Sequence, residues 1–344
     1  MKYNLADVCV RLSSGKGIPA KMIESSGRFP VYGGNGLRGY TEQSNFDGEC
    51  AIIGRQGAFC GNVRFFSGKA YMTEHAIVAV ANKDHNTRYL AYLLSTMSLG
   101  HLSAQSAQPG LSVKTLSKVT VDLPSKEEQD KAVNILSSLE DKIAENSKIN
   151  DNLQQQAQAI YTSMFINNAD PAWRQGHLSD LITVKYGKDH KKLSDGCYPV
   201  YGSGGIMRYV ERPLYDKESV LIPRKGTLNN VIYVNQPFWS VDTMFYTEMR
   251  LPNVAKYVFH FIKSKDLASM NAGSAVPSMT TDILNAIEVA IPSAQDLEKF
   301  ETLVSPLYRA VQENNIQSAK LAELRDTLLP KLMSGELDVA NIQF

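Results

Sequence analysis

Two short basic loops carry the side chains best suited to chemistry in this chain, Arg55-Gln56-Gly57 and Arg224-Lys225-Gly226. Each follows an apolar run that reads as a strand, Ala51-Ile52-Ile53 or Val220-Leu221-Ile222, and each ends on a turn-forming glycine. An arginine in such a loop can grip a phosphate or form a bidentate pair with guanine, and glutamine can pair likewise with adenine. Any one of these side chains, taken alone, is as well explained by a solvated loop charge or an ordinary ion pair. Their occurrence at one fixed place in two copies of a longer pattern favours binding.

The longer pattern is an internal repeat. Pro30-Val31-Tyr32-Gly33 returns as Pro199-Val200-Tyr201-Gly202, and Ile53-Gly54-Arg55-Gln56-Gly57 as Ile222-Pro223-Arg224-Lys225-Gly226, both 169 residues on. Leu123-Pro124-Ser125 returns as Ile291-Pro292-Ser293, Tyr89 as Tyr257 and Ser106 as Ser274, at a spacing of 168. This period is far longer than a solenoid unit and has the size of a domain plus a helix. A chain built as two copies in a row suits a target with two sites in a row, and duplex DNA is such a target.

Around the basic loops, Lys16, Asn35, Arg38 and Arg64 in the first copy, with Lys188, Ser203 and Arg208 in the second, could add contacts to a nucleic-acid backbone. Gly34-Asn35-Gly36-Leu37-Arg38-Gly39 fits GxGxxG, but the fingerprint needs a helix opening within it, and Tyr40-Thr41-Glu42-Gln43 leads into further turns. A loop that brings backbone close to a ligand is the better account. No nucleophile–base pair or metal motif stands out: the six histidines are scattered, and His75 lies where the second copy has Asp242. The four cysteines lack CxxC spacing and read as reduced thiols. The pattern is that of a recognition protein, not an enzyme.

The net charge of +1 conceals a division along the chain. Residues 1–122 hold 13 Lys and Arg against 8 Asp and Glu, and residues 177–290 hold 13 against 11. Residues 123–176 and 291–344 each hold 5 against 8. The two mixed, glycine-rich segments are therefore positive and the other two negative, which fits phosphate contact by the first pair and protein contact by the second. No apolar run is long enough to span a bilayer, and Met1-Lys2-Tyr3-Asn4-Leu5 has no signal-peptide core, so a cytoplasmic protein is expected.

The negative segments should be helices that position the rest. Ser125-Lys126-Glu127-Glu128 is a capping box, and Ser293-Ala294-Gln295-Asp296 is a weaker version. Apolar residues then recur in steps of four and three: Ala132, Leu136, Leu139, Ile143, then Asn146, Asn150, then Leu153, Ala157, Ile160, Met164. The same register 168 residues later gives Phe300, Val304, Leu307, Val311, Asn314, Ser318, Leu321, Arg325, Leu328 and Leu332. Such steps make a heptad seam. Antiparallel pairing about the midpoints sets Asn150 opposite Asn314 and Asn146 opposite Ser318, polar layers that would fix register. In the positive segments, strands are expected at 51–53, 63–66, 77–80, 220–222, 231–234 and 244–246, with helices at 87–97 and 253–263.

On these features the chain resembles the specificity subunits of type I restriction–modification systems over essentially its whole length. The wording that carries the resemblance is Tyr32-Gly33-Gly34-Asn35-Gly36, Ile53-Gly54-Arg55-Gln56-Gly57, Glu128-Gln129, Gln158-Ala159-Ile160-Tyr161 and Leu328-Leu329-Pro330-Lys331-Leu332-Met333-Ser334-Gly335-Glu336-Leu337. Asp296-Leu297 departs from the Glu-Gln opening, and Pro223 stands in place of Gly54. The resemblance implies an α+β chain with two pseudo-repeated target-recognition domains, 1–122 and 177–290. Two long helices, in 123–176 and 291–344, would join them and pair as an antiparallel coiled coil. It also implies that each domain reads one half of a split target in double-stranded DNA, while the helices dock two methyltransferase subunits and motor–nuclease subunits join. S-adenosylmethionine, ATP and magnesium would then belong to those partners, and this chain would hold no cofactor. An autonomous DNA-binding regulator and a two-domain protein- or carbohydrate-binding module are the other classes open to such a sequence.

Overall fold

Both long helices start where a serine hydroxyl accepts a free backbone N–H and donates to the acidic side chain three residues on. In a computed structural model describing residues 1–103, 110–270 and 278–339, they span Lys126–Thr162 and Ala294–Ser334. Ser106 and Ser274 of the repeat lie outside the described residues. At the first helix, Glu128 N–H donates to Ser125 Oγ at 3.3 Å, and Ser125 N–H donates to the Glu128 carboxylate at 2.8 Å. The Ser125 hydroxyl also donates to that carboxylate at 2.6 Å, and this bond, with the one from Ser125 N–H, holds the Glu128 carboxyl below its ordinary pKa. At the second helix Asp296 N–H donates to Ser293 Oγ at 3.1 Å, and the shorter Asp296 carboxylate accepts from the Ser293 hydroxyl at 2.6 Å and from the Trp173 indole at 3.1 Å. A single π turn, Ser163–Asn167, prolongs the first helix, and Gly335, with φ 75, follows the end of the second.

Contacts divide the chain into one unit of residues 1–146 with 316–344 and another of residues 147–315, so each unit takes part of both long helices. The first unit holds a six-stranded sheet in the order Cys9–Ser14, Ala76–Ala81, Phe46–Gly54, Val63–Met72, Phe29–Gly33, Gly36–Thr41. Neighbours are antiparallel except Phe29–Gly33 on Val63–Met72. The helix Thr87–Thr96 joins this sheet in one core with Ala132, Val133, Leu136, Leu332 and Met333 of the long helices. Its start is capped by Asn86, whose side chain accepts from Arg88 N and Tyr89 N.

The second unit repeats the plan with shorter strands. Ile182–Tyr186, Met244–Met249, Ser219–Pro223 and Ile232–Val234 form one sheet; Gly205–Val210, Tyr198–Gly202 and Trp239–Ser240 form another. Its helix, Ala255–Lys263, begins two residues later than the sequence suggests because Asn253 adopts a left-handed φ of 58. The helix packs with Tyr161, Phe165, Leu297, Phe300 and Val304 of the long helices in one aromatic-rich core.

In each unit a cation ties the short helix to a long one, and the two cations are 168 residues apart. Arg88 reaches Glu140 at 2.7 Å; the buried Lys256 reaches Glu301 at 2.6 Å and Glu218 at 3.2 Å. One turn on, Tyr92 donates to Glu140 at 2.5 Å, while buried His260 lies between Gln158 Oε1 at 2.8 Å and the Tyr308 hydroxyl at 3.0 Å.

Burial lowers the His260 pKa to about 4, with the Lys263 charge adding to the effect. In the unfolded chain the same ring titrates near ~6.5, so below that pH the unfolded state binds the extra proton. The stability this group secures is full above ~6.5 and is lost as the pH falls towards 4. Between pH 7.5 and 4.5 the wild-type protein should lose about 2 kcal/mol more than His260→Gln, which cannot take up the proton. Both tryptophans, Trp173 and Trp239, lie in the second unit. Urea unfolding followed by their fluorescence measures the difference, and parallel losses in the two proteins would show that His260 is not the titrating group.

Candidate nucleic-acid interface

The arginine loops are held by main chain, and by the same main-chain bonds in both copies. Arg55 N–H donates to His75 O at 3.0 Å, its Nη1 donates to Glu74 O at 3.3 Å, and its own carbonyl accepts from Leu111 N at 2.8 Å. In the second copy Arg224 N–H donates to Thr243 O at 2.9 Å, Nη1 donates to Asp242 O at 3.2 Å, and the carbonyl accepts from Met279 N at 2.9 Å. Isolated bridges Gln56–Gly110 and Lys225–Ser278 extend the likeness by one residue. These bonds correct one expectation: the counterpart of His75 is Thr243, and that of Asp242 is Glu74. A repeat read without structure slips easily by one residue where the side chains differ and only the carbonyls are shared.

The last residue of each loop, Gly57 or Gly226, has a left-handed φ, 77 or 87. A side chain there is strained in a way that glycine avoids.

Beside each loop stands a hairpin. Gly34-Asn35 turns between Phe29–Gly33 and Gly36–Thr41, and Ser203-Gly204 turns between Tyr198–Gly202 and Gly205–Val210. The GxGxxG stretch is therefore a turn running into a strand, with no helix to bind a dinucleotide. In the first copy the turn abuts the loop: a Cβ at Gly34 would lie 3.5 Å from Arg55 N and 3.0 Å from His75 O. Arg64 lies against the same turn, since a Cβ at Gly36 would come within 2.4 Å of its Nη1. In the second copy a Cβ at Gly226 would lie 3.0 Å from Ser203 Oγ, and Ser203 O accepts from Asn230 Nδ2 at 2.7 Å.

Asn35, Arg38, Arg55, Gln56 and Arg64 thus gather at one place in the first unit, with Gln56 Oε1 3.0 Å from His75 Nδ1. Lys16 is exposed, its N–H bonded to Met72 O at 2.9 Å close to that group. In the second unit Ser203, Arg224 and exposed Lys225 gather, and the Arg224 guanidinium lies 5.3 Å from the centre of the Tyr186 ring. Lys188 is exposed and fixed through its backbone, N–H to Ser240 O at 2.8 Å and O to the Trp239 indole at 2.8 Å. Arg208 is otherwise engaged: it bonds Leu193 O at 3.0 Å and Asp195 at 2.8 Å. Tyr186 and Met207, which share this surface, were not among the residues singled out from the sequence; Met207 could have been found as the residue 169 beyond Arg38.

The helix-pairing candidates lie on the less exposed side of each long helix. Leu139, Ile143, Leu153, Leu307, Val311, Asn314, Ser318 and Leu321 are half-buried, and Asn146 and Asn150 are buried. In the first unit Asn146 Nδ2 donates to Ser318 Oγ at 3.1 Å and Gln317 Oε1 at 2.8 Å. In the second, Asn314 donates to Asn150 Oδ1 at 2.9 Å, and Asn150 donates to Asn315 Oδ1 at 2.9 Å.

The profile of the type I restriction modification DNA specificity domain matches twice, over residues 1–155 and 172–321. The chain belongs to that family. It is a specificity subunit, a DNA-recognition chain without catalytic activity of its own. Among similar proteins, the EcoprrI specificity subunit of Escherichia coli is 40% identical over 124 residues, a stretch covering 35% of this chain and 31% of that one. The MjaIX specificity subunit of Methanocaldococcus jannaschii is 23% identical over 303 residues, covering 74% and 70%. The type I S subunit from M. genitalium shares the fold, with a TM-score of 0.67 at 20% identity over 96% of this chain and 95% of that one. Among the described residues no helix is long and apolar enough to cross a membrane.

The loop geometry makes a test within the specificity family direct. Gly57→Ala should destabilise the protein by about 1 kcal/mol through its left-handed φ. Gly204→Ala, with nothing within 4 Å of the new Cβ, should be close to neutral. Chemical unfolding of the two variants gives the comparison; equal effects would mean that the loop backbone readily relaxes.

Proposed function

We propose that residues 1–122 and 177–290 are target-recognition domains, each reading one half of a bipartite site in double-stranded DNA. The helical segments 123–176 and 291–344 pair as an antiparallel coiled coil and dock two methyltransferase subunits, and motor–nuclease subunits join the complex. Methylation and cleavage, with S-adenosylmethionine, ATP and magnesium, belong to those partners, in the cytoplasm.

The observation that carries this reading is the duplicated cradle: two arginines on identical main-chain bonds, each beside an exposed hairpin turn, with different side chains around them. Two reading heads of common framework and different chemistry suit a target whose halves differ. The polar bonds of Asn146 and Asn150 support the pairing, since buried amides at a seam favour one register over its neighbours.

Methylome sequencing of cells expressing the chain with its methyltransferase partner tests the reading. Wild type should yield one bipartite motif. Arg55→Ala should weaken or relax one half of it and Arg224→Ala the other, each by about 1–3 kcal/mol if the contact is bidentate. Equal loss across both halves would assign the arginines to folding or to nonspecific phosphate contact. Nanomolar specific binding by the lone chain would favour an autonomous regulator, and no salt-dependent DNA affinity a protein- or carbohydrate-binding module.

The helices give a second expectation. One extra heptad in each keeps the seam in phase and adds roughly 10 Å, so the unread spacer should lengthen by about one to three base pairs at ~3.4 Å each. The bases read on either side should stay the same. An unchanged spacer in the methylome would show that the helices do not set it.

A further inference from the structure

Both hairpins are irregular at one place. The register shifts between Val31 and Tyr32, so that Arg38 falls between the pairs Tyr32–Leu37 and Val31–Gly39. It shifts again between Val200 and Tyr201, so that Met207 falls between Tyr201–Ile206 and Val200–Arg208. An extra residue in one strand is a bulge, a device that re-aims side chains. Leu37 is 50% exposed and Arg38 is exposed beside it; Ile206 is 49% and Met207 61% exposed.

The extra side chain runs back over a glycine in each case. A Cβ at Gly33 would meet Arg38 Cδ at 2.8 Å, and a Cβ at Gly202 would meet Met207 Sδ at 2.5 Å. This close approach explains why both copies of Pro-Val-Tyr-Gly end on glycine. The neighbourhood differs in the same sense as the bulge. Arg64 pairs with Ile52 in the first sheet, and at the matching register Ile232 pairs with Leu221 in the second.

We propose that the bulge residue and the apolar residue before it form a base-reading position in each recognition domain, Leu37-Arg38 in the first and Ile206-Met207 in the second. This rests on the reading of the chain as a bipartite DNA-recognition subunit. Arg38 presents a guanidinium fork, which fits guanine O6 and N7. Ile206 and Met207 present only apolar surface, which fits the methyl group of thymine. The shared bulge sets the position and the side chain sets the base.

The test is methylome sequencing of the chain with its methyltransferase partner, as wild type, Arg38→Met, Arg38→Lys and Met207→Arg, with thermal unfolding of each. Arg38→Met should relax a guanine preference at one position of one half-site by about tenfold and leave the other half unchanged. Arg38→Lys, which keeps the charge but not the fork, should relax it similarly. Met207→Arg should shift one position of the other half-site from thymine towards guanine. Unfolding midpoints equal to wild type tie these changes to contact and not to folding. An unchanged motif in all three variants overturns the proposal. So does a uniform fall in methylation that Arg38→Lys restores, since that is phosphate contact. A wild-type complex that methylates no bipartite motif would instead bring down the reading on which the proposal rests.

Discussion

Everything at the candidate interface hangs on backbone carbonyls placed to catch an arginine. The strand that ends at Gly54 or Pro223 must satisfy its next N–H and C=O, and it does so on His75 and Leu111 or on Thr243 and Met279. The guanidinium takes one further carbonyl, Glu74 O or Asp242 O. A buried or half-buried backbone group left without a partner costs about 1–3 kcal/mol, so this framework resists change. Apart from the arginine itself, the groups that make the bonds shared by both copies are main chain. Gln56 and Lys225, His75 and Thr243, Glu74 and Asp242 can therefore differ while those bonds stay the same.

The same division of labour holds where each recognition unit meets the long helices. Gln129 is fully buried, its Oε1 accepting from Asn86 N at 2.9 Å and its Nε2 donating to Pro124 O at 2.9 Å. It locks the start of the first long helix to the cap of the short one. The second copy has Leu297 there, buried in an aromatic core. A polar lock and an apolar plug serve one place because each satisfies its own surroundings. The cations are similar: Arg88 is partly exposed, 2.7 Å from Glu140 and 4.0 Å from the exposed Asp141, whereas Lys256 is buried between two carboxylates, with the rings of Tyr233 and Tyr308 at 5.3 and 5.7 Å.

The repeat, the serine caps of both long helices, the helix and strand positions and the seam period could be read from the sequence because each is local or periodic. Other features could not. The offset of His75 against Thr243 escaped because backbone carbonyls leave no mark on residue type. Arg208 reads as a free cation in sequence, yet Asp195, thirteen residues earlier, already holds it. Met207 went unremarked because methionine on a strand normally signals core; only the bulge turns it outward. The order of strands in the sheets, including the parallel pairing of Val31 with Tyr71, depends on contacts that no short window contains.

The two copies carry their cations at different places on one framework. The first sets Arg38 and Arg64 around the turn next to Arg55, where the second has Met207 and Ile232. The second has instead Lys225 in place of Gln56, and Arg208, held by Asp195, in place of Gly39. In the proposed reading the first domain presents its guanidinium groups at the hairpin, to phosphates and guanine edges. The second relies on apolar contact and on an arginine steadied by Tyr186. In that reading a duplicated domain addresses two unlike half-sites through its side chains, on a loop and hairpin main chain common to both copies.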